Sequence, residues 1–370
     1  MMRCEIVRAG VAEAFSWTTL VPATRSARAA AVTLAVVTAT SAACAAEPVG
    51  AALDRPAQMV RTPERAVLLG AAQAGTQWIA VGERGLLLRS EDGGAHWQQL
   101  ASPVSVTMTA VRFADDQHGF AVGHGGTVLV TEDGGRRWER RLDGRRIAEL
   151  LFADAQARHD AAAQKAAQQM RVDGPDKPLL DVLLLGPGRA LVVGAYGLAL
   201  ATEDGGRTWA SWGARLENPK GLHLYAVRQR GGRLVIAGEQ GLVLKSDDAG
   251  RTFQRLSTPY PGSFFTLELP DDREIVLAGL RGNVWHSVDG GREWSALGAT
   301  MPVSVIASQV AADGTLLLAN QAGFVLARRG DVFVPLQREP LPPLTGLAAG
   351  RNGVLLALSI QGVMPVPSKP

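Results

Sequence analysis

Five aspartates recur in one local setting. Asp92, Asp133, Asp204, Asp248 and Asp289 each stand two residues after a hydroxyl side chain, at Ser90, Thr131, Thr202, Ser246 and Ser287. Two residues further on comes Gly94, Gly135, Gly206, Gly250 or Gly291, and then the aromatic Trp97, Trp138, Trp209, Phe253 or Trp294. A carboxylate in a tight turn accepts backbone N–H bonds and the neighbouring hydroxyl. Glycine supplies the left-handed backbone such a turn needs, and the ring folds back to fill space between layers. A calcium ion takes roughly six to eight converging oxygens, whereas each turn offers a single aspartate. These twenty residues therefore read as structural, and no metal or cofactor is expected. The histidines, His96, His118, His124, His159, His223 and His286, are scattered singly without metal-ligand spacing. The tyrosines are Tyr196, Tyr225 and Tyr260, none with a glutamate partner evident in sequence. Arginines are more regular. Arg84 and Arg281 fall in hairpin turns, and Arg136, Arg207, Arg251 and Arg292 follow the turn glycine. Guanidinium groups suit bidentate contacts with carboxylates, so these four are candidate partner-binding residues. The plainer alternative is a solvated, charge-balanced rim.

The elements that must hold these turns repeat with them. Residues 81–97, 122–138, 193–209, 237–253 and 278–294 share a small pair, two residues, a glycine, a short apolar run and the aspartate turn. Residues 319–326 and 358–364 repeat the hairpin without the aspartate. The first hairpin position falls at 82, 123, 194, 238, 279, 320 and 359, spaced by 41, 71, 44, 41, 41 and 39 residues. Repeats of roughly 40 residues built from short strands are the mark of a β-propeller. The fold expected is all-β: a seven-bladed propeller with one helical insertion after blade two. The long spacing holds that insertion, residues 143–178. Within it, residues 145–171 are rich in alanine and free of glycine and proline, which predicts one continuous helix ended by Gly174-Pro175. Blade seven ends one strand short. Residues 51–60 are expected to supply its fourth strand and close the ring, because open sheet edges invite pairing with other chains.

Bulk properties narrow the function. The formal charge is +3, with no basic patch, so a nucleic-acid partner is not expected. Arg25 and Arg28 precede the apolar run 29–39, followed by small residues to Ala45-Ala46. That is the layout of a cleavable signal peptide over residues 1–46, with the propeller on 47–370 and a periplasmic or secreted location. Lipidation at Cys44 is the lesser alternative, since Ser41-Ala42-Ala43 lacks a large aliphatic residue. With Cys4 the only other cysteine, the processed chain carries no disulfide, and stability must come from core burial. A monomer is expected.

The aspartate turn is the Asp-box pattern found in sialidases and other glycosidases with BNR repeats. Combined with G-x-x-G, a short strand and S/T-x-D-G-G-x-x-W over seven blades, it resembles the photosystem II stability/assembly factor family. The likeness runs over about residues 66–364. It implies a non-catalytic scaffold that binds a newly made membrane-protein client on the lumenal or periplasmic side. Similar propellers stand beside exporters of the resistance-nodulation-division type, so an accessory role in an envelope exporter is a second reading. A glycan-binding or sialidase-like glycoside hydrolase is the third. It would need an arginine cluster, an activated tyrosine and an acid/base carboxylate, and no R-I-P-like segment is present to support it.

Overall fold

The computed structural model describes residues 51–186, 188–298 and 301–367. The expected signal peptide, its cleavage point and both cysteines lie outside the described residues. Seven antiparallel sheets follow one another along the chain, at residues 68–99, 108–142, 179–211, 224–255, 264–296, 305–335 and 344–366. The first six have four strands and the seventh has three.

Among the described residues there is no single core. Seven hydrophobic clusters are present, and each fills the gap between one pair of adjacent blades. Strand alternation produces this arrangement. In blade three, Ala190 and Val192 face blade two, whereas Leu191 and Val193 face blade four. Second strands are buried on both faces, which is why they read as unbroken apolar runs such as Leu234, Val235, Ile236 and Ala237. The last cluster joins blade seven to blade one through Leu356 and Leu358 against Leu68, Trp78 and Leu88. Thr345 on blade seven also donates its hydroxyl to the carbonyl of Leu68.

The ring therefore closes by side-chain packing, and residues 51–60 do not add a strand to blade seven. They run along the exit of blade one instead. Ser105 N–H donates to Ala52 (2.8 Å) and Ala57 N–H to Ser102 (3.1 Å), while Val60 N–H donates to the Gln99 side chain (2.9 Å). Pro56 and the burial of Leu53 alone in its patch break the alternation that a strand would need. Closure still uses the N-terminal segment a few residues later. The second hairpin glycine of most blades lies against the connection leading to the next blade, as Gly85 does at Val104 and Gly323 at Leu341. At Gly362 of blade seven that place is taken by Glu64 and Arg65.

The insertion forms two helices rather than one: α1 (Gly144–Ala157) and α2 (Ala161–Asp173). His159 sits at φ 54° between them. Asp160 then caps α2 by accepting from Ala163 N–H (2.9 Å), as Asp143 caps α1 through the N–H groups of Arg145 and Arg146. Ile147, Ala148 and Met170 join the cluster between blades two and three.

Candidate functional site

The hydroxyl, the carboxylate and the glycine of each aspartate turn are arranged the same way. In blade one, Ser90 donates its hydroxyl to Asp92 (2.8 Å), and the same oxygen accepts from Gly94 N–H (2.9 Å). Asp92 also accepts from His96 N–H (2.9 Å), and the Trp97 indole donates to the Gly94 carbonyl (2.9 Å). The hydroxyl-to-carboxylate bond recurs at 2.9 Å for Thr131–Asp133 and Thr202–Asp204, 2.7 Å for Ser246–Asp248 and 2.8 Å for Ser287–Asp289. These bonds hold the carboxyls below the ordinary range. Asp204 is lowered to about 2, first by the Thr208 hydroxyl and then by its N–H. At Asp133 burial pushes upward, but the N–H of Arg137 and the hydroxyl of Thr131 outweigh it.

The turn also joins blades. A Cβ on Gly135 would lie 2.7 Å from Ile79 of blade one, on Gly250 2.4 Å from Trp212 of blade three, and on Gly291 2.4 Å from Leu256 of blade four. Gly94 faces Leu356 of blade seven in the same way. Four of the five turns are tied within their blade to the loop between the first two strands, as in Gly134 N–H to Gln117 (2.9 Å) and Gly290 N–H to Arg273 (3.0 Å). The turns and these loops thus share one face of the ring. Arg136, Arg207, Arg251 and Arg292 are exposed on that face. Arg207 lies 3.5 Å from Glu132. Among the described residues the side chains of the other three have no ion-pair partner.

The centre of the ring is lined by the seven first strands. In every blade a bulge interrupts pairing near the start of that strand, and it leaves Leu69, Thr109, Leu180, Tyr225, Phe265, Ile306 and Thr345 unpaired. All seven line the channel, around a space of about 140 Å³. A bulge re-aims one side chain out of the sheet alternation, here once per blade toward the axis. Four charged residues stand among them. Arg228 reaches Asp181 (2.6 Å) and Glu268 (3.3 Å), and Arg112 lies 3.4 Å from Asp181. Ser308 donates to Glu268 (2.9 Å), and Val227 N–H donates to Asp181 (3.1 Å). Burial would lower Arg228, but Glu268 and Asp181 more than offset it and raise it. For Arg112 burial prevails and the guanidinium is lowered.

This network was not anticipated from sequence. The available signal was a charged residue in each of four largely apolar first strands, including the repeated Ala-Val-Arg at 110–112 and 226–228. Tyr225 is the tyrosine that reaches the channel. Burial and the charge of Glu239 push its phenol up, the opposite of nucleophile activation. Tyr196 is exposed at a hairpin, and the Tyr260 hydroxyl is bonded to the Leu280 carbonyl (3.0 Å). Among the described residues no three His, Cys, Asp or Glu side chains come together as a metal site, and no helix is long and apolar enough to cross a membrane. A groove of about 680 Å³ lies between the helix pair and blade three, walled by Ala163, Ala167, Met170, Tyr196 and Leu198.

Compared with known proteins, the chain matches the family model described as photosynthesis system II assembly factor YCF48 over residues 95–156 and 159–334, well over half its length. The chain belongs to this family. It is the family that the repeat motifs resemble. The photosystem II assembly protein Ycf48 of Synechococcus sp. (strain JA-3-3Ab) is 36% identical over 173 residues, which cover 45% of this chain and 42% of that protein. The match thus spans less than half of this curated relative. A solved structure of YCF48 bound to D1 peptide superposes with a TM-score of 0.61 at 18% identity, covering 84% of this chain and 98% of that one. YCF48 from Cyanidioschyzon merolae gives 0.60 at 17% identity with the same coverage. The WD40 propeller domain of Doa1 gives 0.58 at 9% identity, covering 86% of this chain and 96% of that one. At these identities the likeness shows the propeller fold alone.

Proposed function

We propose that this protein is an exported, non-catalytic assembly factor that holds a segment of a membrane-protein client. The family match across blades two to six carries the reading. The structure of YCF48 bound to D1 peptide supports a polypeptide client, and the arrangement of Arg25, Arg28 and the apolar run after them supports export. The absence of catalysis is supported by Arg228, held between Asp181 and Glu268, and by the raised phenol of Tyr225. The client docks on the face that carries Arg136, Arg207, Arg251 and Arg292, whose exposed guanidinium groups suit acidic side chains and a chain-terminal carboxylate.

The test is affinity recovery of the tagged protein from gently solubilised membranes of its own host, with partners identified by mass spectrometry. Recovery of a photosystem subunit or another membrane-protein client is expected. Replacing Arg136, Arg207 and Arg292 together by glutamine is expected to cut that recovery about tenfold or more while leaving the melting temperature unchanged. Undiminished recovery by the triple variant would remove the arginine face from the proposal.

A further inference from the structure

Where the first strands of blades six, seven, one and two end, the channel opens into a recess of about 210 Å³. Its wall contains Gln73, Trp78, Arg112, Gln309 and Arg351, with alanines and Phe113 between them. The only charged side chains on that wall are the two arginines. The Arg112 side chain keeps 31% of its surface and that of Arg351 71%.

Neither guanidinium is saturated. Arg112 donates to the Val111 carbonyl (3.0 Å) and makes a single long contact with Asp181 (3.4 Å). Asp181 spends its capacity elsewhere, on Arg228 and two backbone N–H groups. Among the described residues the Arg351 side chain has only Asp116, at 3.7 Å and itself exposed. A guanidinium carries five donors, so both keep donors to spare. The Trp78 indole N–H is a further unpaired donor: the residue is fully buried, and this N–H, like those of Trp285 and Trp294, has no hydrogen-bond partner among the described residues. A buried donor left unmade costs free energy, and native proteins seldom leave one without a reason.

We propose that this recess is an oxyanion site, in which Arg112 and Arg351 bind a small phosphate or carboxylate group and Trp78 and Gln309 complete the donor set. Three observations carry it: donors on the wall, no carboxylate among its lining residues, and an orphan indole N–H on one of those residues. The site owes nothing to the client-binding reading, because its residues are separate from the arginines of the outer turns.

Indole N–H resonances of the ¹⁵N-labelled protein report on it directly, with Trp78 assigned by loss of its peak in Trp78→Phe. Titration with inorganic phosphate is expected to move the Trp78 resonance saturably while the other indoles stay in place. Arg351→Gln, at an exposed position, should weaken binding about tenfold. Arg112→Gln should do so more strongly, its folding checked by the remaining indole peaks. A short peptide with a free carboxyl terminus, run beside its amidated form, distinguishes a polypeptide source from a free anion. A shift with the acid peptide only assigns a chain terminus, and a shift with phosphate only assigns a free anion. A Trp78 resonance unmoved by either ligand, or titrating in both arginine variants at the same concentrations as in the unsubstituted protein, would overturn the site.

Discussion

At the scale of single residues, the aspartate turns use up their own chemistry. Asp248 accepts from the Ser246 hydroxyl, the Thr252 N–H and the Thr252 hydroxyl at 2.7–3.0 Å. All of these bonds favour the charged form. The folded carboxyls therefore lie below their unfolded value of about 4, with Asp204 lowered to about 2. A depressed folded pKa contributes stability above the unfolded value and loses it as pH falls through the folded one. The melting temperature is thus expected to hold steady above about pH 5 and to fall steeply between about pH 4 and pH 2. Asp204→Asn should melt lower at pH 7 and lose less on further acidification. Scanning calorimetry across that range checks both slopes. These turns were legible in sequence because every participating atom lies within seven residues. The Arg112, Asp181, Arg228 and Glu268 network was not, since its members come from four blades and meet only once the ring is assembled.

Elements were legible where the signal was periodic and obscure where it was a cap. The insertion reads as one alanine-rich helix on propensity alone. Asp160 is a better N-cap than an interior residue, and the chain turns there through His159. Propensity scales weigh the helix and not its ends, so the bend was missed. Between blades, the turn glycines rank by what faces them. Gly250 sits at φ 85° with the Trp212 ring 2.4 Å from any added Cβ. That ring is held in turn by Arg215 at 4.4 Å. Gly94, at φ 98°, faces only the end of the Leu356 side chain at 3.0 Å. Both become strained on substitution by alanine, but only the first must also displace a packed ring. Gly250→Ala is expected to cost about 2–4 kcal/mol, by summing left-handed strain and overpacking, and Gly94→Ala about half of that. Urea unfolding of the two variants tests the order.

For the whole molecule, the repeat count and blade order followed from spacing, but the closure did not. A short apolar patch at residues 51–53 resembles a strand until Pro56 and the contacts of Leu53 with Gly125 are seen. The closing contact falls on Leu356, which is 1% exposed between blades seven and one. Leu356→Ala is expected to cost about 2–5 kcal/mol, and its loss should appear mostly as faster unfolding, since this contact joins the two ends of the ring. Stopped-flow unfolding in urea separates that outcome from slower folding. The same contact has a consequence for biogenesis. Synthesis proceeds from the amino terminus, so blade one emerges with Leu68, Trp78 and Leu88 bare on one flank, and the partner for that flank is the last blade made. Until then the half-built chain carries an adhesive surface of the kind that chaperones hold and proteases sample. A product clipped before blade seven would keep that surface permanently, which marks the unfinished ring for disposal.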